Sequence, residues 1–442
     1  MYDTKPVPDR IRNGLYVFSH AAEPRPRCPI RSRAWAVVIA GVAALFPASA
    51  WSQLESGASV LDLDPSARAS AMGHTGTSVF WGAFPDFYRN PALLGHHRGV
   101  HYEWSSTQLL PSLTDALHVR ANRLTLGDWG IGATFSGQPI SGLGGTLYDA
   151  GDLTERDQSG QPVGTYHYEE EIDTWGIGVN AIELTENLIG GGKGEHPISR
   201  FGDVSYGFAS KDVGVFVGPL TSGDITAEMT THDHGLLVRL TPYDSIDYEG
   251  LLPGLDRALE PIASGLRVDV TYGRAWINDD QETIEFSSGG SDPVARVERQ
   301  GFALRAALGL PSAIEAELEA RDTSWLASAL SPILSVGLAW DKEQQTYGDA
   351  EGLELGSNGV EVTVFNVFSI RNGSYETIPN FQNPETADRN TWGYGLGFHV
   401  QGLGGVYFDR GEVALPASGL GNQTPTAFGL WVDPPGLWRA FH

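Results

Sequence analysis

From Val100 onward, apolar and polar residues alternate with period two, the spacing that sends successive side chains to opposite faces of a strand. Val100, Tyr102 and Trp104 share one face, and His101, Glu103 and Ser105 the other. Leu117, Val119 and Ala121 alternate with His118, Arg120 and Asn122, and Trp129 to Phe135 with Gly130 to Ser136. The same rhythm returns at Trp175 to Asn180, Leu266 to Tyr272, Phe302 to Leu308 and Trp392 to Val400. Ser312 to Arg321 also alternates and is expected as a strand, although its Ala, Glu and Leu favour helix. Leu251 to Ala263 reads as a short helix or loop element. The Gly-rich, acidic stretches Gly137 to Glu171, Leu184 to Asp203 and Asp341 to Asn358 read as extracellular loops.

Alternation alone would suit a soluble sandwich. Segments of about 9 to 11 residues match what a tilted strand needs to cross a bilayer. Trp104, Trp129, Trp175, Trp276, Trp340 and Trp392 recur at segment ends, as interfacial girdles would. An arginine facing lipid at mid-bilayer costs roughly 2 to 4 kcal/mol. Glu103, Arg120, Arg267 and Arg305 are therefore expected to face the lumen. The pattern predicts an all-β fold, a transmembrane antiparallel barrel of about 14 strands over residues 98–442. Such a sheet must close, because lipid cannot hydrogen-bond a free edge.

The first 50 residues have a different composition. Arg31 and Arg33 precede an apolar run from Ala34 to Pro47, followed by Ala48-Ser49-Ala50. That order of basic, apolar and A-x-A segments is a secretory signal with an extended n-region, and cleavage is expected after Ala50. The run is too short for a membrane-spanning helix. The only cysteine, Cys28, precedes it, so a processed chain would hold no disulfide or thiolate site.

The 442 residues carry 54 acidic and 29 basic side chains; beyond residue 50 the balance is 51 against 22, a net of −29. That argues against nucleic acid as a partner, since phosphates demand a basic footprint. His232-Asp233-His234 is expected in a loop rather than as a metal site. Gly190-Gly-Gly-Lys193-Gly194 lacks the Ser or Thr and the strand-then-helix frame of a phosphate loop. No catalytic, metal or cofactor site is assigned, and the chain is not read as an enzyme.

Residues 65–95 do not alternate. They contain Ala67-Arg68, Met72-Gly73 and, after a Trp- and Phe-rich stretch, Asn90-Pro91-Ala92-Leu93-Leu94. With Gly359-Val-Glu361, Phe368 to Tyr375, Gly393 to Gly397 and Tyr407-Phe408-Asp409 near the C-terminus, this order resembles the FadL-like superfamily of outer-membrane proteins, including its PorV/PorQ branch. The resemblance implies a barrel with residues 51–97 folded inside as a plug or hatch. Its motif positions here are Arg68, Met72, Gly73, Asn90, Pro91 and Ala92. It also implies passive transport of hydrophobic small molecules across the outer membrane, with Phe80, Trp81, Phe84, Phe87 and Tyr88 lining the route. The alternative it carries is a non-transporting scaffold for exported proteins in a type IX secretion setting. Outer-membrane lipid is a partner under either.

Overall fold

In the computed structural model the described residues are 58–82, 86–112, 117–137, 145–156, 160–189, 202–219, 223–241, 266–280, 283–310, 314, 317–318, 326, 329–347, 350–378, 388–400, 403–414 and 422–433. The export segment, Phe84, Leu251 to Ala263 and the Gly190 to Gly194 run lie outside them.

One antiparallel sheet closes on itself. Among the described residues its wall has fourteen positions: β1 (Gly99–Gln108), β2 (His118–Asp128), β3 (Ile131–Ser136, resumed at Thr146–Arg156), β4 (Pro162–Asn180), β5 (Gly202–Gly218), β6 (Ile225–Leu240), β7 (Leu266–Ile277), β8 (Arg296–Leu308), β9 (Leu334–Tyr347), β10 (Ala350–Val364), β11 (Phe368–Ile378), β12 (Asp388–Val400), β13 (Gly404–Ala414) and β14 (Thr426–Val432). Closure comes from β1 on β14, with Val100 opposite Val432 and Ser106 opposite Thr426. We call the end holding Gly99 and Val432 the near end. The helix α1 (Ala181–Ile189) follows β4 there.

The outer face explains why these strands span a membrane. On β9 the outward residues Leu334, Val336, Leu338 and Trp340 cover about 20 Å of strand at 3.4 Å per residue. Trp340, Phe302 and Tyr272 are register partners, as are Trp104, Phe428 and Phe408, and Trp175 pairs with Phe135. Exposed Trp129, Phe365 and Leu403 extend this band at the near-end turns. Beyond the aromatic row the outward residues turn polar: Lys342 and Gln344 on β9, Arg274 on β7, Asp212 on β5, Asp173 and Glu171 on β4. Trp276 lies two positions past Arg274, outside the band.

The inner face inverts in step. Within the band it is polar, with Glu103, Arg123, Thr134, Asp269, Arg239, Glu361 and Arg371 all buried. Towards the far end it becomes apolar, where Val119, Tyr148, Ile172, Val213, Val215 and Met229 pack with Val60, Leu61, Leu109 and Ile284. The strands thus outrun the bilayer and continue as an ordinary soluble-type barrel with an apolar core.

This inversion corrects several expectations. Arg120 sits near the far end of β2 on the exposed outer face, while Val119, Ala121 and Arg123 point inward. Water bathes the outer wall at that height, so no lumenal partner is needed. Most of Gly137 to Glu171 and of Asp341 to Asn358 is strand, not loop. The described ends of Leu184 to Asp203, residues 184–189 and 202–203, lie at the near end, opposite the β9–β10 turn. His232 and His234 stand on β6 facing out, with Asp233 turned inward to Lys211 at 2.7 Å. Of Ser312 to Arg321, only Ile314, Glu317 and Leu318 are described, and they are helical, as the propensity of Ala, Glu and Leu favours.

Candidate functional site: the lumenal segment and its vestibule

Residues 58–82 and 86–97 run inside the wall, and small local structures explain their path. Ser66 caps the short helix Ala67–Ala71, its Oγ accepting from Ala69 N at 3.1 Å. Asn90 caps the 3₁₀ turn Pro91–His96: its extended backbone suits a residue before proline, and its Oδ1 accepts from Ala92 N at 3.0 Å. The Asn90 amide nitrogen donates to the carbonyls of Thr77 at 2.8 Å and Leu236 at 3.1 Å. One side chain thereby caps a turn, braces the segment and holds it to β6.

A belt of glycines makes room for this segment. Gly127, Gly132, Gly178, Gly207 and Gly235 are successive register partners from β2 to β6. Gly359 pairs with Gly373 on β10 and β11, and Gly393 with Gly411 on β12 and β13. A Cβ at these sites would overlap the segment in order: His97 at Gly127, Leu94 at Gly132, Pro91 at Gly207, Asn90 at Gly235, Met72 at Gly359 and Ala71 at Gly393. Glycine within a strand marks close approach of another backbone. Here the belt traces residues 97 to 67 around the inner wall as an arc.

Buried ion pairs fasten the arc. Arg68 donates to Glu361 from Nε at 3.0 Å and Nη2 at 2.9 Å, and also to the Trp81 carbonyl. Glu361 accepts in addition from the Trp81 indole at 2.9 Å and from Arg371 at 2.6 Å, and Arg371 reaches Asp409 at 2.6 Å. Arg89 bridges Asp64 at 2.7 Å and Glu343 at 3.3 Å, with Arg299 on the same glutamate at 2.8 Å. Asp341 accepts from the amides of Gly76 at 2.8 Å and Thr77 at 2.9 Å. Within the arc, burial and then the Arg89 charge push the His74 imidazole down to about 4. Burial and then the Asp64 charge lift the Asp86 carboxyl to about 7.

On the near-end side of the arc lies a cavity of about 470 Å³. Arg68, Phe80 and Trp81 line it from the segment, and Arg239, Arg267, Arg305, Glu361, Arg371, Asp409 and Trp431 are among the wall residues. Part of its wall is bare backbone at Gly395, Gly397 and Gly405. A Cβ at Gly397 would meet nothing closer than Tyr407 Cβ at 3.8 Å.

Of the residues expected to line a route, Phe80 and Trp81 border the cavity. Phe87 and Tyr88 pack instead under Arg123, whose guanidinium carbon lies 4.7 and 5.2 Å from their rings. Met72, Gly73 and Ala92 lie buried in the arc, with Gly73 in a left-handed conformation at φ 68°. Glu103 faces the lumen and pairs with Arg123 at 2.9 Å, and Arg267 pairs with Asp269 at 3.3 Å. Glu361, Arg371, Asp341, Asp409 and the glycine belt were not singled out as site residues from sequence. The available signal was glycine recurring opposite aromatics at one strand height after another.

No family model and no curated protein matches the sequence. Solved barrels resemble it in fold. A FadL homologue of Pseudomonas aeruginosa aligns at a TM-score of 0.38 and 8% identity, covering 83% of this chain and 98% of its own. The toluene transporter TbuX of Ralstonia pickettii gives 0.39 and 10%, covering 83% and 97%. The toluene transporter TodX of Pseudomonas putida gives 0.31 and 11%, covering 82% and 95%. Values this low leave function to this chain's own residues.

Proposed function

We propose that this chain is an outer-membrane barrel for passive passage of hydrophobic small molecules. A closed sheet with an apolar, aromatic-edged outer band suits a strand-built membrane, and export would follow the signal read in residues 1–50. The observation that carries the proposal is the vestibule: about 470 Å³, within the range of small-molecule pockets, with aromatic side chains beside a few polar groups. Residues 58–97 act as the hatch, and passage requires the arc to yield, because the far-end lumen is filled by packed apolar side chains. No cofactor and no catalytic step is involved. Nothing among the described residues favours the scaffold reading.

Filling the vestibule tests this directly. Gly397→Trp should place an indole in the cavity, since Gly397 borders it and a Cβ there meets only Tyr407 at ordinary contact distance. Whole cells producing this variant are expected to take up toluene at least tenfold more slowly than cells with the unsubstituted chain, at equal surface abundance. Uptake at the unsubstituted rate would refute the route.

A further inference from the structure

Among the described residues, the arginines around the vestibule have carboxylate partners except Arg305. Arg68 and Arg371 share Glu361 and Asp409. Arg239 bridges Asp203 and Asp269, both distances being 2.9 Å or less, and Arg267 also reaches Asp269. Arg305, inward on β8 opposite Asp269 and Gly337, has no acceptor among the described residues, and its Nε is enclosed without a hydrogen-bond partner. An arginine withdrawn from bulk water and left unpaired is unfavourable unless an anion meets it.

The surroundings describe the anion. Trp81 packs over Gly337, the register partner of Arg305, with its indole nitrogen already committed to Glu361, so its ring offers an apolar face. Phe80 stands perpendicular to Trp81 at 5.6 Å between centroids, its outer face covered by Arg239 at 4.4 Å. A planar guanidinium beside aromatic faces matches a carboxylate joined to a ring, because the fork geometry suits two carboxylate oxygens. We propose that the vestibule binds an aromatic monoanion, its carboxylate on Arg305 and its ring against Phe80 and Trp81.

This inference rests on the vestibule being a ligand site, and it narrows the hydrophobic cargo to one carrying a single negative charge. Its test needs no transport. The purified full chain in detergent is heated with benzoate, benzyl alcohol or acetate, and binding is read from the rise in unfolding midpoint. Benzoate is expected to bind at least tenfold more tightly than either probe lacking its charge or its ring. Arg305→Leu should remove that preference, and Arg305→Lys should restore part of it. No described side chain accepts a hydrogen bond from Arg305, although the Asp269 and Glu361 charges face it, so Arg305→Leu should fold with an unliganded midpoint close to that of the parent. If it does not fold, Arg305→Gln must show the same loss. Benzoate binding no tighter than acetate or benzyl alcohol, or a preference surviving Arg305→Leu, overturns the proposal. Toluene uptake blocked by Gly397→Trp would stand in either case.

Discussion

Replacing Gly207 with leucine is expected to expel the hatch while leaving the barrel wall intact. A Cβ at Gly207 would fall on the carbonyl of Pro91 and the amide of Ala92, both backbone groups of a capped turn. No rotamer change relieves such an overlap, and the flanking Gly178 and Gly235 are equally close to the same turn. The strand ladder of β5 is untouched, so the chain should still insert. The arc, losing its seat, should become open to protease in the purified protein, and bilayer conductance should rise severalfold. Gly214→Leu is the control, since that position on the same strand has nothing within 4 Å. Equal protease resistance and conductance in the two variants would show that the belt does not seat the segment.

The second large effect is expected at Glu361. Its carboxylate receives Arg68, Arg371 and the Trp81 indole, all buried, so Glu361→Ala strands Arg68 and weakens the tie on Arg371. Removing one partner of a buried ion pair costs about 3 to 5 kcal/mol, far more than the pair contributes over an apolar replacement. Thermal or urea unfolding in detergent should register that loss. Glu354→Ala breaks the solvent-exposed pair with Lys342 and should cost about 1 kcal/mol or less. Similar losses for both would mean that the Arg68–Glu361 tie is not buried from water.

Half of the wall was legible in the sequence, because period two is plain in β1 to β4, β7, β8 and β12. What alternation cannot supply is phase. On β8 and β7 the apolar residues at Phe302 to Leu308 and Leu266 to Tyr272 lie within the band, so they face lipid and place Arg305 and Arg267 inward. On β2 the residues Leu117, Val119 and Ala121 lie beyond it, where apolar side chains belong inside, and Arg120 is outside. The same pattern reads oppositely on the two sides of one aromatic row. The inner segment was visible as a stretch that breaks the rhythm, and Asn90-Pro91-Ala92 as a turn. Its anchors were not, because Arg68 and Glu361 are 293 positions apart and only closure of the barrel brings them together.

Locking the arc to the wall tests whether it must move for passage. With Cys28 replaced by serine, Ala71→Cys and Gly411→Cys place two thiols across that seam. A Cβ on Gly411 lies 3.4 Å from that of Ala71, near disulfide range. Oxidation is expected to join the pair and stop toluene uptake, and reductant to restore it. Failure of the pair to join, or uptake that continues with the bond closed, would contradict a moving arc inside the wall.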